Sequence, residues 1–160
     1  MKTVYIETSI LSYLTARPSR DLLAAAHQQV TQTWWDFHQA RFEVFVSQLV
    51  DEECRRGDPD AAHRRVEAID SIPMLEVVEE AYELAAALMA EGAVPDSAQD
   101  DATHIALAAV HGMDYLLTWN CRHIANAETK PIVRAVCATH GYPCPEICTP
   151  EELMGGDDEG

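Results

Sequence analysis

The chain has 160 residues, of which 48% are hydrophobic, and a formal net charge of −16. Its length suits one domain with one core, and its apolar content excludes an intrinsically disordered chain. No apolar run reaches the roughly 18 residues that span a bilayer, and no signal region is visible, so we expect a cytoplasmic protein. The acidic surplus argues against tight, sequence-independent binding of duplex DNA through Lys and Arg, although a bound metal can supply positive charge to a nucleic-acid site.

Short apolar strands alternate with helices along the chain. The predicted strands cover residues 4–6, 42–46, 74–78, 115–118 and, at an edge, 147–149. The predicted helices cover residues 10–14, 21–39, 48–56, 61–69, 79–91, 102–111 and 130–140. Thr8 or Ser9 can cap the first of these helices and Ser47 the third. Ser97 and Asp100 have capping-box spacing ahead of the sixth.

The alternation of strands and helices predicts a three-layer α/β/α sandwich with a parallel sheet of four to five strands. The sequence contains no internal repeat and no linker, so we expect a single domain over residues 1–153. The remaining residues, 154–160, are rich in Gly and Asp and predict a disordered acidic tail.

Four polar side chains are expected near one edge of this sheet. Glu7 ends the first strand, Glu53 lies on the helix after the second, Asp101 starts the helix before the fourth, and Asn120 follows the fourth. Ligands of open α/β sheets bind outside the carboxyl ends of the strands. Three carboxylates gathered there would repel one another unless a divalent cation compensated them. The pattern therefore predicts a Mg²⁺ site suited to activating water against a phosphodiester.

Each candidate also has an ordinary structural explanation. Glu7 alone would often be a solvated strand end. Asp101, like its neighbour Asp100, could be a first-turn acid that is favoured by the helix dipole. His104 and His123 could contact phosphate or support the metal ligands, but a single helical histidine is more often structural or exposed.

Five cysteines, an odd number without a CxxC pair, predict free thiols in a reducing compartment. Cys144 and Cys148 are four residues apart, which leaves a zinc site as an alternative. Pro145 between them and the lack of a neighbouring histidine cluster disfavour it.

Four segments together, in their order and spacing, resemble the PIN-domain proteins, and in particular the toxin nucleases of VapC type. The segments are YIETS, VSQLVDEECRRGDP, DDATHIALAAVHGMDYLLTWNCRHIAN and GYPCPEICTPEEL. The resemblance covers residues 2–153. It implies a small α/β/α nuclease that binds Mg²⁺ or Mn²⁺ through clustered acids and cleaves single-stranded or structured RNA. It also implies the toxin of a type II toxin–antitoxin pair, with a small antitoxin protein as partner and a homodimeric state.

By this resemblance, the acids of the family fall on Glu7, Glu53 and Asp101, and its fourth site position falls on Asn120. The family usually has Asp at the position of Glu7, so the metal would sit slightly displaced here. Asp is also common at the position of Asn120, which carries one charge fewer and weakens the expectation of a second metal.

The resemblance gives supporting positions as well. Thr8 and Ser9 match a hydroxyl position that could orient the first acid, and Asp100, His104 and His123 remain secondary candidates. Two other functions stay open. One is a PIN scaffold that has lost catalytic activity and acts as a binding module. The departures from the family pattern at Glu7 and Asn120 suggest it. The other is a structure-specific DNA nuclease with the same fold and metals.

Overall fold

The computed structural model describes residues 1–155 as five β-strands and seven α-helices. The strands are β1 (Thr3–Ile6), β2 (Glu43–Ser47), β3 (Met74–Leu75), β4 (Tyr115–Leu117) and β5 (Glu146–Cys148). The helices are α1 (Thr8–Thr15), α2 (Leu22–Phe37), α3 (Gln48–Cys54), α4 (Pro59–Ala68), α5 (Glu79–Ala90), α6 (Gln99–Val110) and α7 (Lys130–Thr139). Short 3₁₀ turns cover Gln39–Arg41, Asp96–Ala98 and Pro150–Leu153.

The five strands form one parallel sheet in the order β3-β2-β1-β4-β5. In the central strand β1, Val4, Tyr5 and Ile6 are all fully buried. Because successive side chains of a strand point to opposite faces, both faces of the sheet must be covered.

The helices pack in two groups, as a covered sheet requires. Helix α1 contacts α2, α3 and α4, whereas α5 contacts α6 and α7. Every residue of α6 from position 102 to 109 is buried. The predicted three-layer α/β/α sandwich with a parallel sheet is therefore confirmed.

The sheet has a topological switch point beside β1. The chain passes from β1 to β2, which lies on one side of β1, while β4 lies on the other side of β1. Ile6 pairs with Leu117, and the N–H of Glu7 donates to the carbonyl of Leu117 at 3.1 Å. The segments that leave β1 and β4 thus begin side by side, where ligands bind in folds of this class.

The third strand is shorter than predicted. A strand over residues 74–78 was expected, but only Met74 and Leu75 pair, with Val46 and Ser47 of β2. The pairing ends there because Ser47 turns the chain into α3 and offers no further strand. The N–H of Val77 instead donates to Oε1 of Gln48 at 2.9 Å.

Two of the predicted helix caps are wrong and one is right. Ser47 caps α3 by accepting from the N–H of Val50 at 3.1 Å. Thr8 and Ser9 lie inside α1, which they do not cap. Ser97 lies in a 3₁₀ turn, and α6 starts at Gln99 without a side-chain cap, since a cap residue needs extended backbone.

At the C-terminal end, the carbonyl of Met154 accepts a hydrogen bond from Nη1 of Arg41 at 3.2 Å. The rest of the predicted tail, from residue 156 on, lies outside the described residues. Across residues 1–155, no helix is both long enough and apolar enough to span a membrane.

Candidate metal centre

Glu7 is a buried carboxylate at the carboxyl end of β1, with a side chain that two hydroxyl groups hold in place. Only 5% of the residue is exposed. Its Oε1 accepts hydrogen bonds from Oγ of Ser9 at 2.5 Å and from Oγ1 of Thr118 at 2.6 Å. Ser9 lies in the first turn of α1 and Thr118 directly follows β4, so both sides of the switch point contribute to orienting Glu7.

Glu53 approaches the same place from α3. Its side chain is 18% exposed, and its Oε1 accepts from Oγ1 of Thr8 at 2.5 Å and lies 2.6 Å from Nε2 of His104. Burial raises the pKa of the Glu53 carboxyl. The hydrogen bond and charge of His104, the hydroxyl of Thr8 and the charge of Arg56 together lower it by more than burial raises it, so the net pKa lies below its ordinary value. Glu53 is thus held as a carboxylate.

His104 lies on α6 and is fully buried against these acids. Its Nδ1 lies 2.7 Å from the hydroxyl of Tyr5, which in turn lies 2.8 Å from Oγ of Ser47. Burial alone would lower the pKa of the imidazole, but the hydrogen bond to Glu53 and the charges of Glu7, Glu53 and Asp101 raise it above its ordinary value. The ring is therefore fixed at both nitrogens.

Glu7, Glu53 and His104 form a group with the chemistry of a metal site. One ligand atom from each lies within 4.8 Å of the others. Opposite ligands of an octahedral ion lie roughly 4.2 Å apart, which is inside this limit. Among the described residues, neither carboxylate has a Lys or Arg partner within ion-pairing distance, and hydrogen bonds engage Oε1 but not Oε2 of each. The donor set thus fits a divalent cation.

Asp101 lies one turn before His104 on α6, with its side chain turned to another histidine. Its Oδ2 is 3.0 Å from Nδ1 of His123, and the two side chains are 21% and 25% exposed. Asp101 is not in the compact group of three, although its charge acts on His104. It lies on the open side of the site, beside a polar cavity of about 430 Å³ that Ser97 and His123 also line.

Asn120, predicted as the fourth site residue, makes hydrogen bonds within the turn that follows β4. Its Oδ1 accepts from the backbone N–H of His123 at 3.0 Å, and its own N–H donates to Oγ1 of Thr118 at 2.9 Å. The side chain thereby closes the turn that follows β4 and places His123 against Asp101.

Asp100 points away from the compact group. Its carboxylate lies 3.4 Å from Nη1 of Arg56, and the two side chains are 47% and 60% exposed. A hydrogen bond to the backbone of α6, which would make Asp100 a cap, is not present among the described residues. The interpretation of Asp100 as a cap is therefore wrong.

Sequence reasoning missed three residues of this site. Tyr5 and Ser47 anchor His104, and Thr118 anchors Glu7. Tyr5 could have been suspected, because a tyrosine in a fully buried strand needs a partner for its hydroxyl. His104 was noted but was weighed as structural or exposed, whereas it lies at the centre of the site.

The cysteines take no part in this group. All five are free, as expected, and Cys148 is buried, which raises the pKa of its thiol to about 12. In residues 1–155, neither Cys144 nor Cys148 belongs to a group of three metal-ligating side chains, so nothing supports the zinc alternative.

The solved structures that are similar to this chain include the following two. Mycobacterium tuberculosis VapC20, a sarcin–ricin loop cleaving toxin, matches with a TM-score of 0.57 and 17% identity, over 88% of this chain and 96% of its own. VapBC2 from Rickettsia felis, bound to a DNA fragment from its promoter, matches with a TM-score of 0.56 and 11% identity, over 92% and 98%. No known family profile and no curated protein sequence matches the chain.

The fold is that of a PIN-type domain. Within that class it is the fold of the VapC toxins, as the resemblance of the sequence motifs predicted. At these identities the similarity establishes the architecture alone.

Proposed function

We propose that this protein is a metal-dependent endoribonuclease that hydrolyses phosphodiester bonds of single-stranded or structured RNA. The observation that carries the proposal is the convergence of Glu7 and Glu53 at the switch point of the sheet. Both are largely withdrawn from water, each keeps one oxygen free of hydrogen bonds within the described chain, and neither has a Lys or Arg partner within ion-pairing distance there. The VapC-like fold supports the same conclusion.

Glu7 and Glu53 would hold the cation, Mg²⁺ or Mn²⁺, with Asp101 closing the site on its open side. When bound, the cation supplies Lewis acidity toward the phosphate and an activated water. Thr8, Ser9 and Thr118 fix the carboxylates through Oε1, so that the ligand geometry exists before substrate arrives.

The outer part of the site has the features needed to receive RNA. The polar cavity beside Asp101 and His123 is open to solvent and measures about 430 Å³, which is within the range of ligand sites. Arg56 is 60% exposed and contacts Asp100, which lines the cavity, so that its guanidinium can be offered to a phosphate. Because the chain as a whole carries a charge of −16, we infer that this local charge and the cation bring the RNA to the site.

We propose that Asn120 shapes the turn that carries His123 and does not bind the cation. Its Oδ1 already accepts the backbone N–H of His123. Asn120, at the fourth family position, would then position His123, and one tightly held metal would be enough for the proposed hydrolysis.

The test is cleavage of a labelled single-stranded RNA by the purified protein. We expect cutting with Mn²⁺ or Mg²⁺, no cutting in EDTA, and loss of cutting in Asp101→Asn. Asp100→Asn is the matched control, since it makes the same change one residue away at a carboxylate paired with Arg56. Cutting by Asp101→Asn at the wild-type rate would refute the assignment of Asp101 to the metal site. Cutting in EDTA would refute the metal requirement.

We further propose that the protein is a cytoplasmic toxin of a type II toxin–antitoxin pair and forms a homodimer. The similarity to VapC20, which is described as a toxin, and to the VapBC2 assembly supports a small antitoxin partner. An Arg or Lys of that partner placed between Glu7 and Glu53 would supply the Lys or Arg contact that these two carboxylates lack among the described residues. Co-purification with the product of a short adjacent reading frame tests the antitoxin partner. Light scattering of the free protein tests the homodimer.

A binding module without catalysis is the second candidate, which the engagement of the Asn120 side chain favours. Calorimetry separates the two functions. A nuclease should show heat on Mn²⁺ addition that disappears in Glu53→Gln, whereas an inactive scaffold should show no such heat.

A further inference from the structure

We propose that His104 is a nitrogen ligand of the metal site, and that the site therefore prefers a first-row transition-metal ion such as Mn²⁺ to Mg²⁺. The inference rests on the proposed metal centre but is independent of whether the protein cuts RNA. Imidazole is a good ligand for transition metals, whereas Mg²⁺ is held almost entirely by oxygen.

The position of His104 supports coordination. Its Nε2 lies 2.6 Å from Oε1 of Glu53, and a carboxylate oxygen of Glu7 completes the group within 4.8 Å. The imidazole is 0% exposed, so no water shell has to be removed from it before it meets an ion. A cation held between the two carboxylates would therefore have an imidazole nitrogen close by as a third donor.

The hydrogen bonds behind the ring support the same role. A metal-binding histidine usually donates its second ring N–H to a fixed partner, which sets the tautomer and the orientation of the ring. Here Nδ1 lies 2.7 Å from the Tyr5 hydroxyl, and Tyr5 lies 2.8 Å from Oγ of Ser47. If Tyr5 donates to Ser47, its oxygen is free to accept Nδ1–H. A cation that displaces the proton of Nε2 from its contact with Glu53 would then meet the lone pair of that nitrogen.

The anchor is rigid because secondary structure fixes each of its parts. Tyr5 is in the central strand β1 and is fully buried. Ser47 is also buried and caps α3, the helix that carries Glu53. One chain of hydrogen bonds thus ties the nitrogen donor on α6 to the start of the helix that supplies an oxygen donor.

Electron spin-echo spectroscopy of bound Mn²⁺ tests the proposal directly, since it detects a coordinated ¹⁴N nucleus. We expect nitrogen modulation in the wild-type protein and its loss in His104→Gln. Two matched controls should keep it. His123→Gln removes the other imidazole near the site, and His111→Gln makes the same change at the far end of α6, where Nε2 contacts the carbonyl of Glu76.

Labelling of the histidines with ¹⁵N gives an answer that does not depend on the folding of a variant. The modulation of wild-type protein should change from the ¹⁴N to the ¹⁵N pattern. Bound Mn²⁺ without nitrogen modulation would overturn the proposal, as would modulation that persists in His104→Gln or no Mn²⁺ binding at all.

Calorimetry supplies the affinity readout. We expect Mn²⁺ to bind wild-type protein about tenfold or more tighter than Mg²⁺, and His104→Gln to reduce mainly the Mn²⁺ affinity. Equal loss for both ions would contradict a nitrogen ligand. If nitrogen is coordinated but RNA is not cut, the proposed function fails and this inference stands. If RNA is cut by a site that binds Mn²⁺ through oxygen alone, this inference fails and the proposed function stands.

Discussion

The contact between Glu53 and His104 links two groups whose pKa values move apart. The pKa of the Glu53 carboxyl is lowered from 4.5, and the pKa of the His104 imidazole is raised from 6.5. In the metal-free protein the two therefore form a partly buried ion pair around mildly acidic pH, 2.6 Å apart. The cation that we propose would compete with this pair for the same atoms.

The pair predicts a pH dependence of stability. A lowered carboxyl pKa stabilises the fold above the unfolded value and loses its effect as pH falls through the folded value. A raised imidazole pKa stabilises below the unfolded value, and this effect is lost as pH rises through the folded value. In EDTA, the contribution of the pair should therefore be greatest between the unfolded values of 4.5 and 6.5.

Urea unfolding in EDTA across this pH range measures that contribution as the difference between wild type and Glu53→Gln. Glu67→Gln is the control, because Glu67 pairs with His63 on the surface, where both side chains are more than 70% exposed. A difference for Glu53→Gln that does not vary with pH would contradict the ion pair.

Asn120 gives a second prediction at the residue scale. Asn120→Ala removes the acceptor for the backbone N–H of His123 and should lower the free energy of unfolding by about 1 kcal/mol. Asn120→Asp retains an acceptor and should stay within about 0.5 kcal/mol of wild type. Urea denaturation compares the two. Equal stability of the Ala and Asp variants would show that the side chain does not hold the turn.

The sequence predicted the acids of the site better than their partners. Glu7 and Glu53 follow from the positions of strand ends and from the resemblance of the motifs. Tyr5 contacts His104 across 99 positions of sequence, and Thr118 contacts Glu7 across 111. Such pairings depend on the register between strands and helices, which local patterns do not contain.

At the scale of elements, α6 explains why His104 was undervalued. Every residue of α6 from position 102 to 109 is buried, because α6 packs against α5 as well as β4. Four alanines in this stretch allow the close approach. A polar residue anywhere in it must therefore have a buried partner, as His104 has.

The tight packing of α6 predicts that a larger side chain will not fit. Ala106 is 0% exposed, and Ala106→Leu should lower the free energy of unfolding by about 1 to 3 kcal/mol through overpacking. Ala86→Leu, on the exposed face of α5, should be close to neutral. Urea denaturation of both variants measures this, and an unchanged Ala106→Leu would mean that α6 is loosely packed.

The remaining differences between predicted and observed elements share one cause. The third strand ends where its neighbour becomes a helix, and Thr8 and Ser9 give their hydroxyls to carboxylates and not to the end of α1. In each case a tertiary partner outweighs the local pattern. Ser47 was predicted correctly as a cap, because the partner of its side chain is only three residues away.

For the molecule as a whole, we expect metal binding to stabilise the fold. The site joins β1, α3 and α6, so a cation that binds only the folded chain raises the free energy of unfolding. Mn²⁺ at a hundred times its dissociation constant should add about 2.7 kcal/mol. Urea unfolding with Mn²⁺ and with EDTA measures the increment, which should be absent in Glu53→Gln. An equal increment in that variant would place the ion elsewhere on this acidic protein.

The proposed function makes the carboxylate of Glu53 part of a nuclease centre at the switch point of the sheet. Cleavage of single-stranded RNA with Mn²⁺ by two neighbouring variants tests it most directly. Glu53→Gln keeps the shape of the side chain and should cut about a hundredfold or more slowly than wild type. Glu52→Gln removes the same charge from an exposed side chain one residue away and should cut at the wild-type rate. Equal rates for Glu53→Gln and Glu52→Gln would contradict the account.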